Sequence, residues 1–567
     1  MTGPVILVVD DDPAALARVG TELTKRYGAD YEVLAYGSPE AALLALRRLR
    51  DAGRPVALLL ADLWMTPMSG IDVLVLAGGL HPTAKRGLIV EWVDVNRSKR
   101  DLVTASGLGQ IDCTLRKPVG ARDEQFHHVV TELLREWARA HGGGRPVVRV
   151  VGDQWSSRSH EVKDLLARYG IPFGSLSPDS PEGRAVLEAA GTDAASCPVL
   201  AFEDGRVLID PTNGQAADAF GANLDHVDGE FDVAVVGAGP AGLAAAVYAA
   251  SEGLRTLVIE REAIGGQAGT TSRIRNYLGF PRGISGSDLA VRAYDQAWHF
   301  GASFRLLRDT LELRPGAPCH TLSLSDGEEI QARAVVVATG VAYRRLAAPS
   351  LERLVGRGVF YGPAVSEAPA MAGQPVFVVG AGNSAGQAAV HLARYASHVT
   401  MLVRGDSLGA GMSDYLVTEI GATGNIDVRN RTEAVAGTGE HRLEEIVLRD
   451  RRLGTEETLP AAGLFVLIGG EPRTRWLPAE IGRCPRGYVL TGTDIIEADA
   501  IEDAGLSCTH WAPGTLPLET SVPGIFAAGD VRHRSIKRVA SAAGEGAEVV
   551  AMVHEHLART DRSLSLR

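Results

Sequence analysis

Phe231-Asp232-Val233-Ala234-Val235-Val236-Gly237-Ala238-Gly239-Pro240-Ala241-Gly242 is the stretch on which the fold turns. Its first six residues, rich in valine, predict a buried strand, and an alanine-rich helical pattern follows the last glycine. In a G-x-G-x-x-G of this kind Gly237 makes the turn, Gly239 lets a diphosphate approach the backbone, and Gly242 lets helix pack on strand. Pro240 and Ala241 open the helix, whose first N–H groups point at the phosphates. A second strand, 254–259, ends at Glu260, at the spacing of about 20 residues where an acid accepts from ribose hydroxyls. Strand, glycines, helix, strand and acid together predict a dinucleotide-binding unit.

The pattern recurs at Pro375-Val376-Phe377-Val378-Val379-Gly380-Ala381-Gly382-Asn383-Ser384-Ala385. Here the following strand, 398–403, ends in Arg404, at the position Glu260 holds in the first copy. An acid favours a free 2′-hydroxyl and an arginine accommodates a 2′-phosphate, so this copy is expected to take NADPH. Gly405 gives Arg404 no basic neighbour in sequence, which leaves NADH possible.

Around these two units the chain runs to 567 residues, room for three or four domains at about 150 residues each. Composition breaks at 140–146 and 221–230 divide it into segments of roughly 1–140, 146–222 and 229–567, all reading as α/β. Acids outnumber bases, 69 to 57, for a formal charge of −12. Nucleic acid and anionic membrane surfaces need a cationic face, so neither is the expected partner. Five cysteines (Cys113, Cys197, Cys319, Cys484, Cys508), no two close in sequence, exclude a disulfide scaffold, a CxxC pair and a structural zinc cluster. No apolar run reaches the ~20 residues that span a bilayer and no targeting segment is recognisable, so a cytoplasmic location is expected.

Further motifs in the third segment agree on a family. Gly265-Gly266-Gln267 follows Glu260; Asn276-Tyr277-Leu278-Gly279-Phe280-Pro281, Val336-Val337-Ala338-Thr339-Gly340, Ile468-Gly469-Gly470-Glu471-Pro472 and Gly524-Ile525-Phe526-Ala527-Ala528-Gly529-Asp530 come in order, then Lys537-Arg538-Val539. The segment resembles the low-molecular-weight thioredoxin reductase type of the FAD-dependent pyridine nucleotide-disulfide oxidoreductases. The resemblance implies an FAD domain from two pieces, 229–347 and 475–567, around an NAD(P)H domain, 348–474, and a homodimer. It implies that Gly266, Gln267, Asn276, Ala338, Thr339 and Gly340 sit by FAD. It also implies that Asp530 after Gly529 contacts the ribityl chain and that Lys537 to Val539 cover the isoalloxazine. Where that family carries C-x-x-C, Gly356-Arg357-Gly358-Val359-Phe360-Tyr361 is followed by Gly362-Pro363-Ala364-Val365. Disulfide reduction through an enzyme dithiol is therefore not expected.

The first segment places Asp10-Asp11-Asp12 after a strand, Asp62 after a second and Lys117-Pro118 after a third. Carboxylates at the ends of two parallel strands converge on one crevice and can hold Mg²⁺. The order resembles a response-regulator receiver domain, which has a flavodoxin-like fold, over about 1–125. It implies Asp62 as phosphoacceptor, Asp10 and Asp11 with Asp62 as the metal site, Lys117 as the sensing lysine, and a signalling partner. Glu91 follows the fourth strand, where receivers carry Thr or Ser, and a carboxylate there repels a phosphoryl group. The middle segment resembles a thioredoxin or glutaredoxin fold from Trp155, the strand 198–202 and the turn Asp204-Gly205. Ser156 and Ser159 stand at the cysteine positions, and serine cannot supply a low-pKa thiolate; a structural or docking role is expected. Cys197-Pro198 stands where that fold has the residue before a cis-proline.

The expectation is an enzyme that passes hydride from NADPH to FAD and on to an acceptor left open: ferredoxin, flavodoxin, a quinone, oxygen or a partner's disulfide. The rival is a flavin-binding sensor or docking protein in a two-component-type pathway. No side chain stands out as an acid or base. His299, on a helix, is expected to pack or cap, and His533 lies near Asp530.

Overall fold

Continuous apolar runs become parallel strands with both faces covered by helices. The structure is a computed structural model that describes residues 3–91, 99–120, 123–140, 147–153, 155–220, 229–362, 365–409, 411–495 and 515–565. Most of both predicted joints, together with Trp92, Pro363, Ala364 and Cys508, falls outside them.

The first segment alternates β1 (Val5–Val9), α1 (Pro13–Tyr27), β2 (Glu32–Tyr36), α2 (Pro39–Asp51), β3 (Val56–Asp62), α3 (Gly70–Leu80), β4 (Lys85–Val90), α4 (Lys99–Gly107), β5 (Cys113–Arg116) and α5 (Glu124–Ala140). Its five strands are all parallel, in the order β2-β1-β3-β4-β5. β1 and β3 are buried throughout, which is why both read as unbroken hydrophobic runs. The third residue of the aspartate triplet, Asp12, is the N-cap of α1, accepting from the N–H groups of Ala14 and Ala15.

The middle segment contains β6 (Val148–Val151), α6 (Ser157–Arg168), β7 (Phe173–Leu176), α7 (Pro181–Ala189), β8 (Val199–Phe202), β9 (Val207–Ile209) and α8 (Asn213–Ala219). The sheet order is β7-β6-β8-β9, with β6 and β7 parallel and β8 antiparallel to both its neighbours. Asp204-Gly205 turns β8 into β9. The Cys197–Pro198 peptide is cis.

The third segment opens on β10 (Phe231–Val236), α9 (Pro240–Ser251), β11 (Thr256–Glu260), β12 (Ser303–Leu306), β13 (Thr310–Arg314), β14 (His320–Leu324) and β15 (Glu329–Val337). In this sheet β10 lies between β11 and β15, with β12 outside β11 and the antiparallel β14 and β13 beyond β15. β16 (Val341–Tyr343) then leads to a second parallel sheet, ordered β17-β24-β18-β19-β20. Its strands are β17 (Val359–Tyr361), β18 (Pro375–Val379), β19 (His398–Val403), β20 (Ile426–Asn430) and β24 (Gly463–Val466). Between β20 and β24 the chain makes an antiparallel sheet from β21 (Thr432–Thr438), β22 (Glu445–Asp450) and β23 (Glu456–Pro460). It returns through β25 (Gly470–Pro472), antiparallel to β16, so the two crossings pair side by side. β26 (Ile525–Ala527) rejoins β15 in the first sheet. The C-terminal helix Val539–Ser565 packs along α9; a Cβ at Gly546 would stand 2.1 Å from the Ala241 carbonyl oxygen, so glycine permits that contact.

Candidate functional site

A cavity of about 280 Å³ lies where β10, β11 and β15 end and α9 begins. Gly237 turns the chain there with φ +110°, and a Cβ would stand 2.4 Å from the Ala338 carbonyl oxygen, so no other residue fits. A Cβ on Gly239 would meet only the Gly266 Cα, at 4.0 Å, so the backbone there borders open space. At Gly242 it would stand 1.8 Å from the Gly237 carbonyl oxygen, which is the close helix-to-loop packing read from the fingerprint. No side chain caps α9, so its first N–H groups are left for a ligand.

Glu260 ends β11 buried at the cavity wall. One oxygen accepts from the Ala238 N–H at 2.7 Å and the other from the Glu262 N–H at 2.8 Å. Burial pushes its carboxyl up, against those two bonds and the charge of Arg168. Glu260 therefore braces the glycine loop, and its remaining lone pairs are what a ribose hydroxyl could use.

Gly266, Gln267, Ala338, Thr339 and Gly340 line the same cavity. The Gln267 amide donates to the Val341 carbonyl at 2.7 Å, and the Thr339 hydroxyl donates to the Arg473 carbonyl at 3.0 Å. Gly529, Asp530, Lys537, Arg538 and Val539 close it from the C-terminal piece. The Lys537 ammonium donates to the Asp530 carbonyl at 3.2 Å and lies 4.3 Å from the Tyr488 ring centroid. Burial raises the Asp530 carboxyl while Lys537 lowers it. From the second glycine unit Ser384 and Gln387 reach the wall, so the helix Asn383–Leu392 faces the cavity of the first.

Other residues named from sequence lie elsewhere. Asn276 is exposed and not among the residues of the cavity wall, and Arg275 beside it pairs with Glu419 at 2.8 Å. Gly380, Gly382, Asn383 and Ala385 form the second unit's own turn, away from this wall. The Asn383 carboxamide is held by Ser413, and a Cβ on Gly380 would stand 2.5 Å from the Leu467 carbonyl oxygen. Arg404 follows β19 and is exposed. Arg451 donates to the Arg404 carbonyl at 3.3 Å and pairs with Glu433 at 3.5 Å, while the Arg431 backbone N–H donates to the Gly405 carbonyl and its guanidinium pairs with Asp406. His299 bonds the Asp295 carbonyl at its helix end, and the His533 ring is 3.7 Å from Asp494.

The cavity wall also holds Arg168, Arg261, Arg308, Arg473, Glu262 and Tyr343, none singled out from sequence. Arg473 follows the Gly-Gly-Glu-Pro motif directly and donates to Glu262 at 2.8 Å, so it was within reach of motif reading. Six cations and four carboxylates share the wall, an excess of positive charge that suits an anionic diphosphate. No cysteine is among the described residues that line it. A dinucleotide cofactor thus meets a glycine cradle, an uncapped helix start, a ribose-side acid and matching charge.

At the other end of the chain Asp10, Asp11 and Asp62 meet, with carboxylate oxygens all within 4.8 Å of one another. The Lys117 ammonium stands 2.7 Å from Asp62 and 3.0 Å from Asp10. Burial raises the Asp62 carboxyl, with the Lys117 bond opposing. Glu91 is exposed at the end of β4. In the middle segment Ser156 is the N-cap of α6, accepting from the Ser159 N–H, and Ser159 is buried. No helix among the described residues is long and apolar enough to cross a membrane.

Comparison with known proteins agrees with this geometry. The family model for pyridine nucleotide-disulphide oxidoreductases matches residues 231–546. The "34.2 kDa protein in rubredoxin operon" of Clostridium pasteurianum is 31% identical over 336 residues, 58% of this chain and 97% of that one. The bifunctional thioredoxin reductase/thioredoxin of Mycobacterium leprae is 34% identical over 319 residues, and this chain spans 63% of its length. Among solved structures, T. acidophilum thioredoxin reductase aligns over 58% of this chain and 99% of its own, with 26% identity and a TM-score of 0.51. Lactococcus lactis thioredoxin reductase, at 24% identity and a TM-score of 0.52, shares the fold over 58% of this chain and 99% of its own. With the family model covering more than half its length, the chain belongs to the pyridine nucleotide-disulphide oxidoreductases and is a thioredoxin reductase-like, FAD-dependent NAD(P)H oxidoreductase.

Proposed function

We propose that this protein takes electrons from NADPH through FAD and delivers them to an acceptor outside the chain, without a dithiol of its own. The observation that carries this is the shared cavity: Ser384 and Gln387 of the second glycine unit stand in the same wall as Gly237, Glu260 and Thr339 of the first. FAD, when bound, supplies the ability to accept a hydride and pass on its two electrons. The chain's part is to bind and orient. Gly237 to Ala241 and the start of α9 hold the diphosphate, and Glu260 takes the ribose. Asp530 and Lys537 bound the other end, and Arg404 favours the 2′-phosphate of NADPH over NADH. The five cysteines are scattered in sequence and none of the four described ones lines the cavity, so the acceptor's own chemistry completes the cycle. Ferredoxin, flavodoxin, a quinone, oxygen and a partner's disulfide are the candidates, and a homodimer is the expected assembly.

The first segment supports a receiver reading by its all-parallel order β2-β1-β3-β4-β5 and by the convergence of Asp10, Asp11, Asp62 and Lys117. On it Asp62 is the phosphoacceptor and Mg²⁺ is held by the three carboxylates. Anaerobic titration with NADPH and then NADH, followed by a panel of acceptors, tests the reading. Bleaching of the yellow flavin by NADPH and turnover with one acceptor are expected. A protein that holds FAD and stays oxidised sinks it.

A further inference from the structure

Arg168 belongs to the middle segment, as the last residue of α6, yet its side chain lies in the wall of the cofactor cavity. Only 9% of it is exposed. Its Nη2 donates to the carbonyl oxygens of Ala263, at 3.0 Å, and Gly266, at 3.4 Å. Those carbonyls flank the turn at Gly265 and Gly266, both at positive φ, that follows Glu260. Its Nη1 stands 3.7 Å from Asp164 and 3.8 Å from Glu262, beyond hydrogen-bonding distance. Its Nε is buried with no hydrogen-bond partner, and so is the hydroxyl of Tyr169 next to it.

A guanidinium this buried needs anionic or acceptor groups around it to offset its lost hydration. Two other cavity arginines are more tightly paired. Arg473 holds Glu262 at 2.8 Å, and Arg308 is tightly paired with Asp326. Of these three cavity-wall arginines, Arg168 is the most buried and the most loosely paired. It stands between Glu260, which marks the ribose, and Gly266, which faces Gly239 across the diphosphate cradle. The group that fits there is the adenosine-diphosphate part of a dinucleotide, anionic and rich in acceptors.

We propose that the middle segment is a working part of the FAD site. Arg168 holds the Gly265–Gly266 turn by its two carbonyl bonds and sets its positive charge against the adenosine-diphosphate end of FAD. The segment is thus kept for a cofactor contact made from outside the two-domain flavoprotein, which explains a thioredoxin-like body without a dithiol. The inference rests on the FAD reading above.

The test is FAD binding, not turnover. Full-length protein is stripped of flavin, and FAD and ADP are titrated into wild type, Arg168→Ala and Arg168→Lys, with melting temperature measured for each apo form. Arg168→Ala is expected to bind both ligands about tenfold more weakly, since the variant loses both the wall charge and the charged bonds that hold the turn. Arg168→Lys, which keeps the charge but loses the fork, is expected to fall between. If the alanine variant does not fold, the lysine variant decides, and wild-type affinity in it overturns the proposal. A lower apo melting temperature with unchanged FAD and ADP affinity also overturns it, since Arg168 is then only a docking residue. Wild type that takes up no FAD brings down the flavin reading itself; wild type that binds beside a variant that binds equally brings down this proposal alone.

Discussion

Arg404 is the side chain expected to read the 2′ position of the nucleotide. It follows β19, exposed, with Arg451 donating to its carbonyl. Losing one charged hydrogen bond to a phosphate costs on the order of 1.5–3 kcal/mol, or at least tenfold in affinity. Arg404→Ser is therefore expected to raise the KM for NADPH about tenfold and leave that for NADH unchanged. A parallel rise for both nucleotides would show that Arg404 does not read the 2′ position. Gly242 makes the opposite kind of case, because its role is steric. Gly242→Ala puts a methyl 1.8 Å from a carbonyl oxygen, so loop and helix must separate. A cost of about 1–3 kcal/mol in stability is expected, together with loss of bound flavin, read by melting temperature and flavin content.

At the scale of elements, α6 is the connector. Its C-terminal end reaches the flavin half through Arg168. Its N-terminal end grips the inserted half: the His160 ring is 2.7 Å from the Glu367 carboxylate, the Lys163 ammonium 3.7 Å from it, and Ser157 packs on Gly356. Glu367 is 1% exposed. Burial would raise its carboxyl, but His160 and Lys163 outweigh that and hold it below the ordinary value. Glu367→Ala leaves His160 and Lys163 facing an apolar gap, and a destabilisation of roughly 3 kcal/mol is expected. The readout is faster hydrogen exchange across 157–168, with the core strands β10 and β15 unaffected. These contacts also show which parts of the site were legible from sequence. Gly237, Gly239 and Glu260 were, because turn, cradle and acid are demands of local backbone at fixed spacing. Arg168 was not: about 70 residues separate it from the fingerprint, and only docking of one segment on another brings it there. The Arg275–Glu419 pair beside Asn276 is likewise a tertiary contact that no motif records.

The whole molecule is held where its first segment meets both halves of the third. Arg273 of the flavin half pairs with Asp112 at 3.2 Å, and Arg275 with Glu419 of the inserted half at 2.8 Å. Arg86 lies between, its guanidinium donating to the Gly109 carbonyl at 2.8 Å. Burial by itself would raise the Asp112 carboxyl, but Lys85, Arg394, Arg273 and Arg86 together hold it well below the usual carboxylate range. A carboxyl whose folded pKa is depressed binds protons more readily when unfolded, so its contribution to stability is fully present above about pH 4. That contribution is lost as pH falls toward the depressed folded value. Acid is therefore expected to loosen the first segment's contact with the rest, and Asp112→Asn should lower the melting temperature at pH 7. In Asp112→Asn the loss of stability below pH 4 should be shallower than in wild type, because one of the protons driving it is gone. Melting curves from pH 3 to 7 for both proteins decide it. Parallel curves would mean that Asp112 contributes nothing dependent on its charge, and that apolar packing alone holds the first segment in place.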